Sequence, residues 1–108
     1  MEEKRTAHQA VVSRVLEGDG RASRPERRAA FDNTTLTEPL HGLISKVAKH
    51  PTQITDDDVA AVKASGLSED QIFELVVCAA VGQATRQYQN ALAALAIAIS
   101  DQGSRICD

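Results

Sequence analysis

Two cysteines, three histidines, an acidic triplet and a group of amides around one arginine are the residues of this chain that could do chemistry. Cys78 and Cys107 are too far apart for a CxxC pair. Thiol redox chemistry needs an activated thiolate and a resolving thiol within reach. Cys78, between Val77 and Ala79, reads as a small buried apolar residue, and Cys107, near the end of the sequence, as an incidental thiol. His8, His41 and His50 share no i, i+4 spacing, and neither HxxxH nor HExxH occurs, so no metal is expected. Asp56-Asp57-Asp58 lacks the spacing and glycine of an EF-hand and reads as the acidic first turn of a helix. Arg21, Arg24, Arg27 and Arg28 form a basic cluster, read as a solvated face, with a subunit contact or anion site as the alternative.

One polar group stands out: Gln71, Gln83, Arg86, Gln87, Tyr88 and Asn90. Positions 83, 86 or 87, and 90 share one helical face. Arg86, read as lying near the start of the last helix, is placed to hold a carboxylate or phosphate together with free backbone N–H groups. Gln71, Gln83, Arg86, Gln87 and Asn90 are therefore the candidate ligand-binding residues. The alternative is a buried polar network that Gln71 and Arg86 close between helices or subunits.

Helices must position these residues. Ala7, Ala10, Val11, Val12, Val15 and Leu16 predict a helix from about Arg5 to Glu17, ended by Gly18-Asp19-Gly20. Pro25 suits the first turn of a short helix through Phe31. Thr37 is the expected N-cap of a helix carrying Leu40, Leu43, Ile44 and Val47, which Pro51 stops. Thr55 with Asp58, and Ser68 with Gln71, read as capping boxes, with Gly66 closing the helix between them. Residues 72–81 are apolar nearly all round, which predicts a central helix buried on most sides. Gly82 marks either a break or a close approach of backbones. Beyond it, Tyr88, Leu92, Leu95 and Ile99 step at helical spacing among alanines, and the tail from Asp101 is expected to fray.

The chain of 108 residues has room for one domain, 1–108, with an N-terminal helix and loop over 1–24. Its aromatic content is only 3%, which favours closely packed helices. No stretch approaches the length of a membrane span. The charged start lacks the apolar run of a signal peptide, and two cysteines are too few for a disulfide scaffold, so a cytoplasmic location is expected. A net charge of −3 and few aromatics argue against nucleic acid. Thr55 to Val81 reads as helix, turn, helix, but its second helix lacks the polar face that base edges require. No cofactor is expected.

The stretch Leu67-Ser68-Glu69-Asp70-Gln71-Ile72-Phe73-Glu74-Leu75-Val76-Val77-Cys78-Ala79-Ala80-Val81-Gly82 resembles the central helix of the carboxymuconolactone decarboxylase and AhpD-like alkylhydroperoxidase superfamily. Ile54-Thr55-Asp56-Asp57-Asp58-Val59, the Gly66-Leu67-Ser68 turn and Arg27-Arg28-Ala29-Ala30-Phe31 resemble its cysteine-less members. The similarity spans roughly residues 25–100. It implies an all-α, AhpD-like bundle of five or six helices, assembled as a dimer, trimer or hexamer. The peroxidase branch carries a Glu, two cysteines and a His. With Gln71 at the Glu position, the cysteine positions fall on Gln83 and Arg86 and the His position on Asn90. The resemblance thus implies a retained fold without peroxidase chemistry. The function expected is a non-redox homo-oligomer, small-molecule-binding or structural. The alternative is a cofactor-free decarboxylase or isomerase that holds a small carboxylate on Arg86, with His41 or His50 as acid or base.

Overall fold

The computed structural model describes the backbone of residues 2–107 and the side chains of residues 5–101. The tail expected to fray from Asp101 continues α5 as helix to Cys107, and the Cys107 thiol lies outside the residues whose side chains are described. Among the described residues the chain is all-α. Helices α1 (Glu2–Glu17), α2 (Arg24–Asp32), α3 (Leu40–Lys49) and α4 (Asp56–Ala64) pack against a single long α5 (Glu69–Cys107), and a 3₁₀ turn (Pro51–Gln53) links α3 to α4.

Local chemistry sets most of the boundaries. The Ser23 hydroxyl accepts from Glu26 N–H at 3.2 Å, and Pro25 occupies the first turn of α2. Asn33, in the left-handed region at φ 55°, ends that helix and returns its N–H to Ala29 and Ala30 carbonyls. Both expected capping boxes form. Thr55 Oγ1 accepts from Asp58 N–H while Asp58 accepts from Thr55 N–H, and Ser68 and Gln71 exchange the same two bonds. Gly66, at φ 112°, makes the turn between α4 and α5, where a side chain would be strained. Thr37 does not cap α3 with its hydroxyl; its carbonyl accepts from His41 N–H at 2.9 Å, and the helix begins at Leu40.

The sequence left Gly82 as a break or a close approach, and the structure makes it a close approach. α5 runs through it for 39 residues, about 58 Å at 1.5 Å per residue. It therefore sets the longest dimension of a molecule measuring 63 × 29 × 21 Å. α2 crosses α5 at Gly82 so tightly that a Cβ there would fall onto the Phe31 carbonyl, with the Phe31 carbonyl carbon 2.7 Å away. Around this crossing lies the core: Ala30, Phe31, Leu40, Leu43, Ile44, Val62, Ile72, Leu75, Cys78 and Ala79.

α5 is less enclosed than its composition predicts. Leu75, Cys78 and Ala79 are buried, but Phe73 is 68% exposed. Beyond Leu92, no described residue of α5 is shielded, and Leu95, Ile97 and Ile99 stand 52%, 65% and 61% exposed. Beyond Leu92 the physical reason is length, since α2 and α3 are short and cover only the first half of α5; Phe73, nine residues from Gly82, lies on the face opposite the α2 crossing.

Gly82→Ala separates packing from helix propensity. Alanine favours a helix interior by about 1 kcal/mol over glycine, yet overpacking costs about 1–3 kcal/mol. Thermal unfolding is expected to show a net loss of stability; a gain would mean that the α2–α5 contact is loose.

Candidate functional site

Arg86 donates from Nη1 to the Phe31 carbonyl at 2.6 Å and from Nη2 to Gln83 Oε1 at 3.1 Å. Phe31 lies in the last turn of α2, where carbonyls have no partner within the helix. The guanidinium supplies that partner, and its positive charge suits the negative end of the helix dipole. Gly82 and Arg86 lie one turn apart on α5, so the same face that admits α2 also caps it. Because α5 does not restart at Gly82, Arg86 sits in mid-helix, where the backbone N–H groups are already bonded within the helix. The anion cradle expected at a helix start is absent at that position.

The other candidate residues separate. Gln83 is half-buried beside Arg86, whereas Gln87 and Asn90 are exposed. Gln71 lies about 18 Å along the helix from Gln83 and does local work. Its Oε1 accepts from Ser68 N–H, and its Nε2 donates to the Arg21 carbonyl at 3.4 Å. Glu74, one turn on, holds the same loop: its carboxylate accepts from Ala22 N–H at 2.6 Å and from Arg21 N–H at 2.8 and 2.9 Å. The Ala22 N–H foremost, and then that of Arg21, hold the Glu74 carboxyl below its usual range.

Arg27, read from the sequence as part of a solvated cluster, is buried at 6% exposure. Its Nη1 donates to the Gly18 carbonyl at 2.6 Å and to the Val15 carbonyl at 3.5 Å, where α1 ends. The Cys78 thiol donates to the same Val15 carbonyl at 3.2 Å, and burial pushes its pKa up. A thiol so placed is protonated near neutral pH and is a poor nucleophile.

Sequence reasoning passed over His8. Its Nε2 lies 2.9 Å from Thr85 Oγ1, and its ring stands 5.5 Å from that of Tyr88. The Thr85 hydroxyl donates to the Val81 carbonyl at 2.7 Å, so it accepts from His8 Nε2. α1 therefore runs antiparallel to α5, and the groove between them, about 300 Å³, is lined by His8, Val12, Ser13, Leu16, Thr85 and Gln89. No spacing within the sequence announces this contact, because its two halves are 77 residues apart. His41 is half-buried on α3, with Nδ1 lacking a partner, and His50 is exposed at the end of that helix. Among the described residues, no group of three or more His, Cys, Asp or Glu could hold a metal ion, and no helix is long and apolar enough to cross a membrane.

Two substitutions test these assignments. Arg86→Ala leaves the Phe31 carbonyl unpaired and is expected to cost about 1–3 kcal/mol; millimolar phosphate or acetate should not raise the melting temperature of the wild type. An anion-dependent rise lost in Arg86→Ala would reinstate a binding site. Glu74→Gln should cost about 1 kcal/mol at pH 7. The folded pKa of Glu74 is depressed, so its contribution is full above the unfolded value of about 4.3 and fades as pH falls through the folded value. The two melting curves should therefore converge in acid; a gap that stays constant down to pH 3 would contradict the assignment.

Comparison of the chain with protein-family models, curated proteins and solved structures finds no match to any of them.

Proposed function

We propose that this protein is a non-redox, AhpD-like helical subunit whose role is structural and exercised as a homo-oligomer. The observation that carries this reading is the second half of α5. Residues 91–99 contain no polar side chain, and Leu95, Ile97 and Ile99 are more than half exposed. A helix that is apolar all round is a buried helix, and a contiguous exposed apolar surface on a soluble chain marks an interaction site.

The resemblance to the carboxymuconolactone decarboxylase and AhpD-like superfamily supports a self-associating fold, and Gln83, Arg86 and Asn90 at its thiol and imidazole positions support the loss of peroxidase chemistry. The engagement of Arg86 with Phe31 and Gln83 weighs against the alternative lyase or isomerase, which needs that guanidinium free for a substrate carboxylate. A buried Cys78 with a raised pKa offers no substitute nucleophile.

Static light scattering at micromolar concentration tests the assembly, and a stable monomer would overturn the reading. A hydroperoxide-consumption assay with a dithiol reductant tests the chemistry. No turnover above buffer is expected, and turnover abolished by Cys78→Ala would contradict the non-redox assignment.

A further inference from the structure

The exposed face of α5 is more ordered than a scatter of apolar residues. Phe73, Val77, Ala80, Ala84, Gln87, Ala91, Leu95 and Ala98 step by three or four residues and so form one stripe along the helix. All are exposed except Val77, which is half-buried. Between Glu74 and Asp101 the only charged residue is Arg86, and it is turned to the Phe31 carbonyl on the opposite face. The stripe is therefore uncharged for about 39 Å of helix, and its small central residues permit close approach of another backbone.

We propose that this stripe is the contact between two copies of the chain, with α5 packed antiparallel against the partner's α5 about a two-fold axis near residue 85. The stripe is complementary to itself in that arrangement. Phe73 meets the partner's Ala98, Ala80 meets the partner's Ala91, and Ala84 meets the partner's Gln87, while Val77 and the partner's Leu95 lie side by side along one edge of the seam. Phe73 thus faces a small residue, the centre of the seam is built of alanines, and the contact closes as an isologous pair requires. The two Gln87 side chains come together near the axis, where a polar residue can fix register.

The same register accounts for the exposed aliphatics. Two hollows flank Phe73. One, between α4 and α5, is lined by Val59, Ile72 and Val76 with Lys63 and Glu69 beside them, and the other, beside α1, by Val15 and Val77 among the charged Arg14, Asp19, Arg27 and Glu74. On an antiparallel pair, like flanks meet. The partner's Ile97 falls over the first hollow, and the partner's Leu95 and Ile99 fall against Val77 and the methylene stem of Arg14 at the edge of the second. A seam about 39 Å long and about 10 Å wide, counted on both subunits, gives roughly 800 Å² before the hollows are filled, and a specific interface needs about 1,000 Å².

This inference rests on the self-association proposed above, and the experiment distinguishes the two. In a Cys107→Ser background, Ala80→Cys/Ala91→Cys should oxidise to a covalent dimer, because the paired positions face each other across the seam. Ala80→Cys/Ala98→Cys, which faces only in a register shifted by two turns, should not. Ala84→Glu, at a site exposed in the subunit, should keep its helical circular dichroism while dimer dissociation rises about a hundredfold or more, since it buries two like charges at the axis. A wild-type monomer would overturn both proposals. An oligomer that resists Ala84→Glu, that fails to cross-link through 80 and 91, or that contains an odd number of subunits would overturn the seam and leave self-association standing.

Discussion

The structure depends on the crossing of α2 over α5 at Gly82, and on the way that crossing is closed. A helix end leaves carbonyls that must find donors when they are buried. Here arginines supply them in sequence: Arg86 of α5 caps α2 at Phe31, and Arg27 of α2 caps α1 at Gly18 and Val15. Each guanidinium lies at the negative end of a helix dipole, so a buried cation is stabilised without a carboxylate bonded to it. The missing side chain at position 82 lets the backbones approach, and the carbonyl presented by that approach is the one that Arg86 receives. Packing and polar satisfaction are thus one arrangement.

That arrangement places Arg86 and Gln83, the centre of the polar face read as a candidate site, in the joint between α2 and α5. Gln83 orients Arg86, Gln71 and Glu74 hold the loop between α1 and α2, and the thiol of Cys78 shares a carbonyl with Arg27. Polar groups placed inside a helical assembly need partners whether they bind a ligand or not. For Arg27, Arg86, Gln71, Glu74 and Cys78 the partners are chiefly backbone carbonyls and amides of neighbouring elements, while the buried Arg27 Nε and His41 Nδ1 have none.

The parts of the fold legible in the sequence are those governed by neighbouring residues. Thr55 and Ser68 cap as expected because a cap is decided within four residues. Gly66 and Pro25 are legible for the same reason. What was not legible depends on distant pairs. Gly82 carries the same signal for a break as for a close approach, and only the position of Phe31 decides between them. Arg27 among four arginines looks solvated until α1 is laid against it, and His8 acquires Thr85 only through the antiparallel run of α1 along α5. The burial on most sides expected for residues 72–81 fails at Phe73 because that residue, nine positions from Gly82, lies on the face of α5 opposite the α2 crossing, a matter of overall geometry rather than pattern.

The central proposal is that α5 is one helix with two differently supported halves: the first is held by α2 and its arginine cap, and the second is proposed to be held by another copy of the chain. An isolated helical extension frays, because packing supplies most of its stability. Native-state hydrogen exchange at a series of protein concentrations tests this most directly. The account predicts that amides of residues 75–86 keep the same protection at every concentration, while those of residues 91–99 gain protection as concentration rises through the association range. Protection of residues 91–99 that is independent of concentration, or loss of protection in both halves together on dilution, would contradict it.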